Sequence, residues 1–196
     1  PTILHLHKII PDGAGLGGGS ADAAFALRGL NSLYNLGLPD GELCRLAAMI
    51  GADCPFFIYD RPMLCTGTGT DMSPIDVPQI LGKVLAIVKP PVSVNTAAAY
   101  SRVTPHEPAE PLAQRISRPL GQWQDSVIND FEASVFPQFP QLAVIKEALI
   151  AEGAAYSAMS GSGSSLFGIF DCQSADNLAE RLKARFEGCD VHVAEL

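Results

Sequence analysis

Long hydrophobic runs are missing. No apolar stretch approaches the ~20 residues that a bilayer-crossing helix needs, and no segment has the charged, apolar and small-residue order of a secretory signal. The expected location is the cytoplasm, and a membrane is not an expected partner. Positive charge is also scarce: 13 Lys and Arg face 21 Asp and Glu, a net charge of -8. That is the wrong sign for a chain that follows a phosphate backbone, so nucleic acid is not an expected partner. The five cysteines (Cys44, Cys54, Cys65, Cys172, Cys189) are odd in number and never form C-x-x-C, which argues against a disulfide framework or a zinc knuckle. They read as reduced, mostly buried thiols. With 196 residues, 47% of them hydrophobic, the chain can bury a core in one large or two small domains.

Glycine, by contrast, is abundant in one place. Residues 13–24 read GAGLGGGSADAA, with five glycines in the first seven positions. Glycine costs conformational entropy on folding, so such a cluster before a helical pattern suggests that something approaches the main chain closely. Gly13, Gly15 and Gly18 satisfy G-x-G-x-x-G, but a dinucleotide-binding Rossmann unit also needs a second strand ending in an acidic residue ~20 positions on. The sequence there is still helical in pattern. No Lys-Ser or Lys-Thr follows the last glycine, which excludes a Walker A loop, and the H-R-D and D-F-G motifs of protein kinases are missing. What is left is a glycine loop feeding a helix N-terminus, suited to an anion, or a tight turn that lets a strand and a helix pack.

Along the chain, ILHLHKII (3–10) predicts a strand. Ala23, Leu27, Leu30 and Tyr34 predict a helix with Ser20 as N-cap and Gly37 as stop. Pro39-Asp40 opens a second helix ending at Gly51, a short apolar strand is expected after Pro55, and CTGTGTDMSP reads as a turn. KVLAIVKPP (83–91) starts a new strand, and residues 105–119 are polar and proline-rich enough to be an exposed connection. Pro140 opens a helix stopped by Gly153, two strand-like runs flank SGSGS, a helix starts at Ser174, and VHVAEL is a last strand. The expected domains are 1–80 and 81–196, the fold class α+β, and the second half ferredoxin-like.

Several residues carry two readings each. Ser20 serves as a helix N-cap or as a hydroxyl touching phosphate or Mg²⁺. Asp53, in GADCPFF, is a turn aspartate beside Pro55 or a general base, since phosphoryl transfer requires positioning, charge neutralisation and a carboxylate to take the acceptor proton. SGSGSS (160–165) is a hairpin turn or a second phosphate-facing loop. Lys8 neutralises phosphate or is solvated at a strand end. His5 and His7 share one strand face but lack a third partner for a metal.

In combination, IPDGAGLGGGSADAA resembles the second, ATP-binding motif of the GHMP kinases, and GAAYSAMSGSGSSLFGIF resembles their third. GADCPFF, VNTAAAY and INDFE narrow the likeness to the branch that phosphorylates the 2-hydroxyl of a cytidine diphosphate-linked methylerythritol in non-mevalonate isoprenoid biosynthesis. The resemblance implies a ribosomal protein S5 domain 2-like N-terminal half and a ferredoxin-like C-terminal half. It implies ATP and Mg²⁺ as cofactors, with Lys8, Pro11, Asp12, Gly13, Ala14, Gly15, Leu16, Gly17, Gly18, Gly19, Ser20 and Ala21 around the phosphates. Ser160, Gly161, Ser162 and Gly163 would help close the site, Asp53 would be the catalytic base, and Ser20 a contact to Mg²⁺. The family's opening Lys-Ile-Asn-Leu strand and Gly-Tyr-His segment do not occur here, so the chain reads as lacking its N-terminal part. Self-association or a bound N-terminal fragment is then expected where a sheet edge is left open. The readings left beside this one are another GHMP kinase, of the homoserine or mevalonate type, and a nucleotide-binding module without catalysis.

Overall fold

The computed structural model describes residues 2–196. The first segment departs from expectation. Thr2–Ile9 forms no strand, and Ile3, Leu4, Leu6 and Ile9 are each 66% exposed or more. A strand exists only through a ladder to a neighbour, and among the described residues none runs beside this segment. His5 and His7 therefore do not share a strand face.

Helix α1 (Gly18–Leu33) follows the glycine loop directly. Its N-cap is Gly17 in the left-handed region, with no side-chain cap, so Ser20 lies inside the first turn and does not cap it. The helix ends before Gly37 because Asn35 already turns left-handed (φ 49°), and the Asn31 side chain holds Leu38 through two 3.0 Å hydrogen bonds. Helix α2 (Asp40–Ala48) opens after Pro39 as expected. The expected strand after Pro55 is instead helix α3 (Cys54–Tyr59). Proline in a first turn costs no helical hydrogen bond, and Cys54 and Ile58, four apart, share the face packed on Ala24 of α1 and Leu43 and Ala47 of α2. A hairpin, β1 (Met63–Thr66) with β2 (Asp71–Pro74), carries the glycine turn.

The second half is a four-stranded antiparallel sheet: β3 (Lys83–Lys89), β4 (Tyr156–Met159), β5 (Leu166–Asp171) and β6 (Asp190–Glu195), in the order β4-β5-β3-β6. With α7 (Pro140–Ala151) between β3 and β4 and α8 (Leu178–Arg185) between β5 and β6, this is the expected ferredoxin-like arrangement. Helix α8 starts after Asn177, later than the expected Ser174. Along β3, burial alternates: Val84, Ala86 and Val88 face a core that includes Leu142, Leu149, Phe170, Leu178 and Leu182. Leu85 points the other way, into a cluster around Trp123 and Tyr156. The segment 105–130 supplies that second cover, so it is more than a connection; it contains the short helix α5 (Leu112–Ile116). Two further short helices, α4 (Thr96–Tyr100) and α6 (Phe131–Val135), complete the fold. Only Cys44 and Cys54 are buried; Cys65 and Cys172 are exposed and Cys189 lies between.

Glu152, at the end of α7, takes Arg185 at 2.7 Å and Arg181 at 3.3 Å from α8. The Arg185 hydrogen bond outweighs burial, and with Arg181 it holds the carboxyl below its ordinary value of 4.5. A depressed carboxylate stabilises the fold above its unfolded pKa, and this contribution disappears as the pH falls through the folded one. Two outcomes are expected in urea titrations. Phe170→Ala, at a fully buried site, should cost about 3–5 kcal/mol. Glu152→Gln should be less stable than the parent at pH 7, and the gap should close as the pH drops below 4.5.

Candidate functional site

The glycine loop is shaped by what lies against it. Gly15 has φ +73°, and a Cβ there would stand 2.1 Å from the Ser160 carbonyl oxygen and 2.7 Å from that of Gly163. At Gly17, φ +64°, a Cβ would meet the Phe57 ring at 2.8 Å. Gly19 differs: it is exposed, and nothing lies within 4 Å of the added atom. Bare backbone at 15 and 17 thus lets protein pack, whereas at 19 it opens onto empty space at the start of α1. The first amides of a helix have no intrahelical acceptor and carry partial positive charge.

The second loop is bonded to the first. Ser160 Oγ donates to the Gly15 carbonyl at 2.8 Å, and the Ser165 amide donates to the Ala14 carbonyl at 3.0 Å. Ser162 Oγ and Thr96 Oγ1 are 3.1 Å apart. The two hydroxyl- and glycine-rich loops, remote in sequence, are one construction in space.

Between them lies a cleft of about 560 Å³. Pro11, Asp12, Gly13, Gly15, Gly17, Gly18, Gly19 and Ser20 line it, with Asp53, Gly161 and Ser162. A second cavity of about 320 Å³ shares Gly15, Gly17 and Asp53 and adds Leu16, Ser160, Phe56, Phe57, Cys65 and Met72. Asp53 immediately precedes α3 and faces both spaces. Desolvation, then the Asp53 charge, pushes the Cys65 thiol up, and both residues line the second cavity. Ala14, buried under the loop, Ala21 within α1, Gly163 and Lys8 line neither cavity. Sequence reasoning gave no role to Thr96, Tyr100 and Phe131, which also line the cleft. Tyr100 and Phe131 stack edge-to-face with centroids 4.8 Å apart. They were visible only inside VNTAAAY and INDFE, with no chemical signal of their own.

Lys8 is not at a strand end. Its Nζ lies 2.6 Å from Asp22 and 3.5 Å from Asp12, and the hydrogen bond to Asp22 is the main reason its pKa is raised. It also approaches within 3.4 Å of where a Gly18 Cβ would be. A single ammonium thus sits beside the first turn of α1, restrained by two carboxylates.

Residues 2–61 match the model of the GHMP kinases N terminal domain, and residues 109–188 match that of the GHMP kinases C terminal domain. The 4-diphosphocytidyl-2-C-methyl-D-erythritol kinase of Bacteroides fragilis is 51% identical over 170 residues, covering 87% of this chain and 62% of the relative. The enzyme of the same name from Parabacteroides distasonis is 50% identical over 171 residues, covering 87% of this chain and 63% of the relative. The chain thus spans about three-fifths of the length of these relatives. A crystal structure of 4-(cytidine 5'-diphospho)-2C-methyl-D-erythritol kinase superposes with a TM-score of 0.77 at 33% identity, covering 96% of this chain and 69% of that one. A homoserine kinase structure from Cytophaga hutchinsonii, at TM-score 0.64 and 20% identity over 96% of this chain and 68% of that one, shares the fold.

The two kinds of glycine can be told apart by unfolding. Gly15→Ala should cost more than about 2 kcal/mol, because its Cβ collides with main chain at a left-handed position. Gly19→Ala, in open space at a helical position, should change stability by less than about 1 kcal/mol.

Proposed function

The chain belongs to the 4-diphosphocytidyl-2-C-methyl-D-erythritol kinase family of the GHMP kinases, and from that membership we propose that it transfers the γ-phosphate of ATP to the 2-hydroxyl of 4-diphosphocytidyl-2-C-methyl-D-erythritol. The observation that carries this reading is the shared cleft, in which Asp53 and the start of α1 at Gly18–Ser20, open at Gly19, face one space.

The residues fit ATP. The amides of the α1 N-terminus are aimed donors that need no reorganisation as charge develops. Gly19 leaves room for a phosphate, and Lys8 is the cation at hand. Asp53 takes the proton of the acceptor hydroxyl as its oxygen forms a bond to the γ-phosphorus. The bond from that phosphorus to the bridging oxygen breaks, and ADP leaves. Mg²⁺, which in such reactions neutralises the phosphate oxygens, would be held by the phosphates and water with one protein oxygen from Ser20. A single hydroxyl suits a cation that keeps most of its ligands from substrate and solvent. Residues 1–80 would form the ATP-binding half, with residues 81–196 closing over it through Ser160–Gly163. The small-molecule chemistry and the residue composition favour the cytoplasm.

The test uses the full-length polypeptide that carries this sequence and measures ADP release from MgATP with the cytidyl substrate. Asp53→Asn should lower kcat by roughly 10²–10⁴-fold, with MgATP affinity held within about threefold of the parent. Gly19→Ala should fold normally yet weaken MgATP by about tenfold or more, because its methyl group occupies the phosphate space. Turnover of homoserine or mevalonate alone would assign a different GHMP activity. ATP binding with no turnover of any alcohol would leave a nucleotide-binding module.

A further inference from the structure

INDFE (residues 128–132) lends Phe131 to the cleft, and its buried carboxylate, Glu132, is used by no step of the proposed phosphoryl transfer. Its geometry is specific. Asn129 Nδ2 donates to the carbonyl of Met159 at 2.7 Å and to that of Gly161 at 2.8 Å, while its Oδ1 accepts from the Phe131 amide at 2.9 Å. Glu132 Oε1 accepts from the Met159 amide at 2.8 Å, and Oε2 meets Lys146 Nζ at 2.5 Å. Both main-chain polar groups of Met159 are thus held from one short segment of chain.

Met159 is the last residue of β4, where its ladder to Leu166 ends and the 160–165 loop begins. Beyond that point the strand ladder stops: Ser160 is held inside the loop by its amide donating to the Ser165 carbonyl at 2.8 Å and its carbonyl accepting from the Gly163 amide at 2.9 Å, while the Gly161 carbonyl is held by Asn129. The Asn129 amide pins the carbonyl groups on either side of Ser160, and Ser160 Oγ reaches Gly15. A displacement of Asn129 or Glu132 is therefore passed to the contact between the two loops, where Gly15 has no spare room.

We propose that Asn129 and Glu132 are positioning residues of the nucleotide site, fixing Met159 and Gly161 so that Ser160 meets the glycine loop in one place. The pair acts through the loop and touches neither reactant. An Asn suits this position because it must present two N–H groups to carbonyls and an oxygen to an amide at once. Glu132 accepts from Met159 while the Lys146 ammonium compensates its buried charge. The proposal rests on the kinase reading only where nucleotide affinity is the readout.

The test compares Asn129→Ala, Asn129→Asp and the double variant Glu132→Gln/Lys146→Met in the full-length protein. It measures MgADP affinity and hydrogen exchange of the 160–165 amides without nucleotide. Asn129→Asp is nearly isosteric but turns an acceptor toward two carbonyls, so it should be worse than Asn129→Ala. MgADP should weaken by about tenfold or more, and loop exchange should quicken by a similar factor, with the amides of 84–88 unchanged. The double variant keeps an oxygen for the Met159 amide and should disturb both readouts less than Asn129→Asp does. If Asn129→Asp lowers only the melting temperature, with affinity and loop exchange at parental values, the proposal is overturned. If the parent binds no MgADP, the kinase reading fails, and exchange in the 160–165 loop still decides this one. Should both Asn129 variants fail to fold, Glu132→Ala/Lys146→Met removes the Met159 acceptor without stranding a charge and must quicken loop exchange for the proposal to stand.

Discussion

The main chain of Gly15 lies so close to the Ser160 carbonyl that a β-carbon there would stand 2.1 Å from the oxygen, and this close approach governs the rest of the site. Two loops that begin in different halves of the molecule meet with no side chain between them. The Ser160 hydroxyl and the Ser165 amide can therefore reach carbonyls of the glycine loop directly. The cleft, the aim of the α1 N-terminus and the placing of Ser162 beside Thr96 follow from that meeting.

The two sides of this contact are supported unequally. The 160–165 loop joins β4 to β5, whose residues enter a large core with α7 and α8. The glycine loop rests on a much smaller cluster of α1, α2 and α3 side chains, including Ala24, Leu43, Ala47 and Ile58. Less buried apolar surface means less free energy to resist local opening. The hydrogen bonds from Ser160 and Ser165 thus extend the stiffness of the sheet into a loop that its own core supports weakly.

Charge works at short range in this chain. A protein of net charge -8 repels a polyphosphate at a distance, so under the proposed function attraction would have to come from groups that touch it. Backbone amides at a helix start would provide it without adding formal charge, over a range of about one turn. Lys8 is the exception, and its pairing with Asp22 and Asp12 keeps a flexible ammonium beside α1 instead of leaving it free in solvent.

Local chemistry determined the elements that could be read from the sequence. The glycine cluster marked a loop before a helix, the alternation of KVLAIVK marked a strand buried on one face, and Pro39 and Pro140 marked helix starts. Asp53 and the SGSGS loop could be singled out because their residue types carry chemistry. The strand expected at 3–10 and the helix found at Cys54–Tyr59 could not be settled that way, since a strand needs a neighbour and a six-residue apolar run takes whichever form its neighbours bury. The same holds for Lys8, whose partners Asp12 and Asp22 become neighbours only when the loop folds back, and for Thr96, Tyr100 and Phe131, ordinary residues in the sequence that packing brings to the cleft. Residue type and spacing set local conformation and available chemistry. Which groups face one another is decided by contacts between segments far apart in the chain, and those exist only in the packed structure.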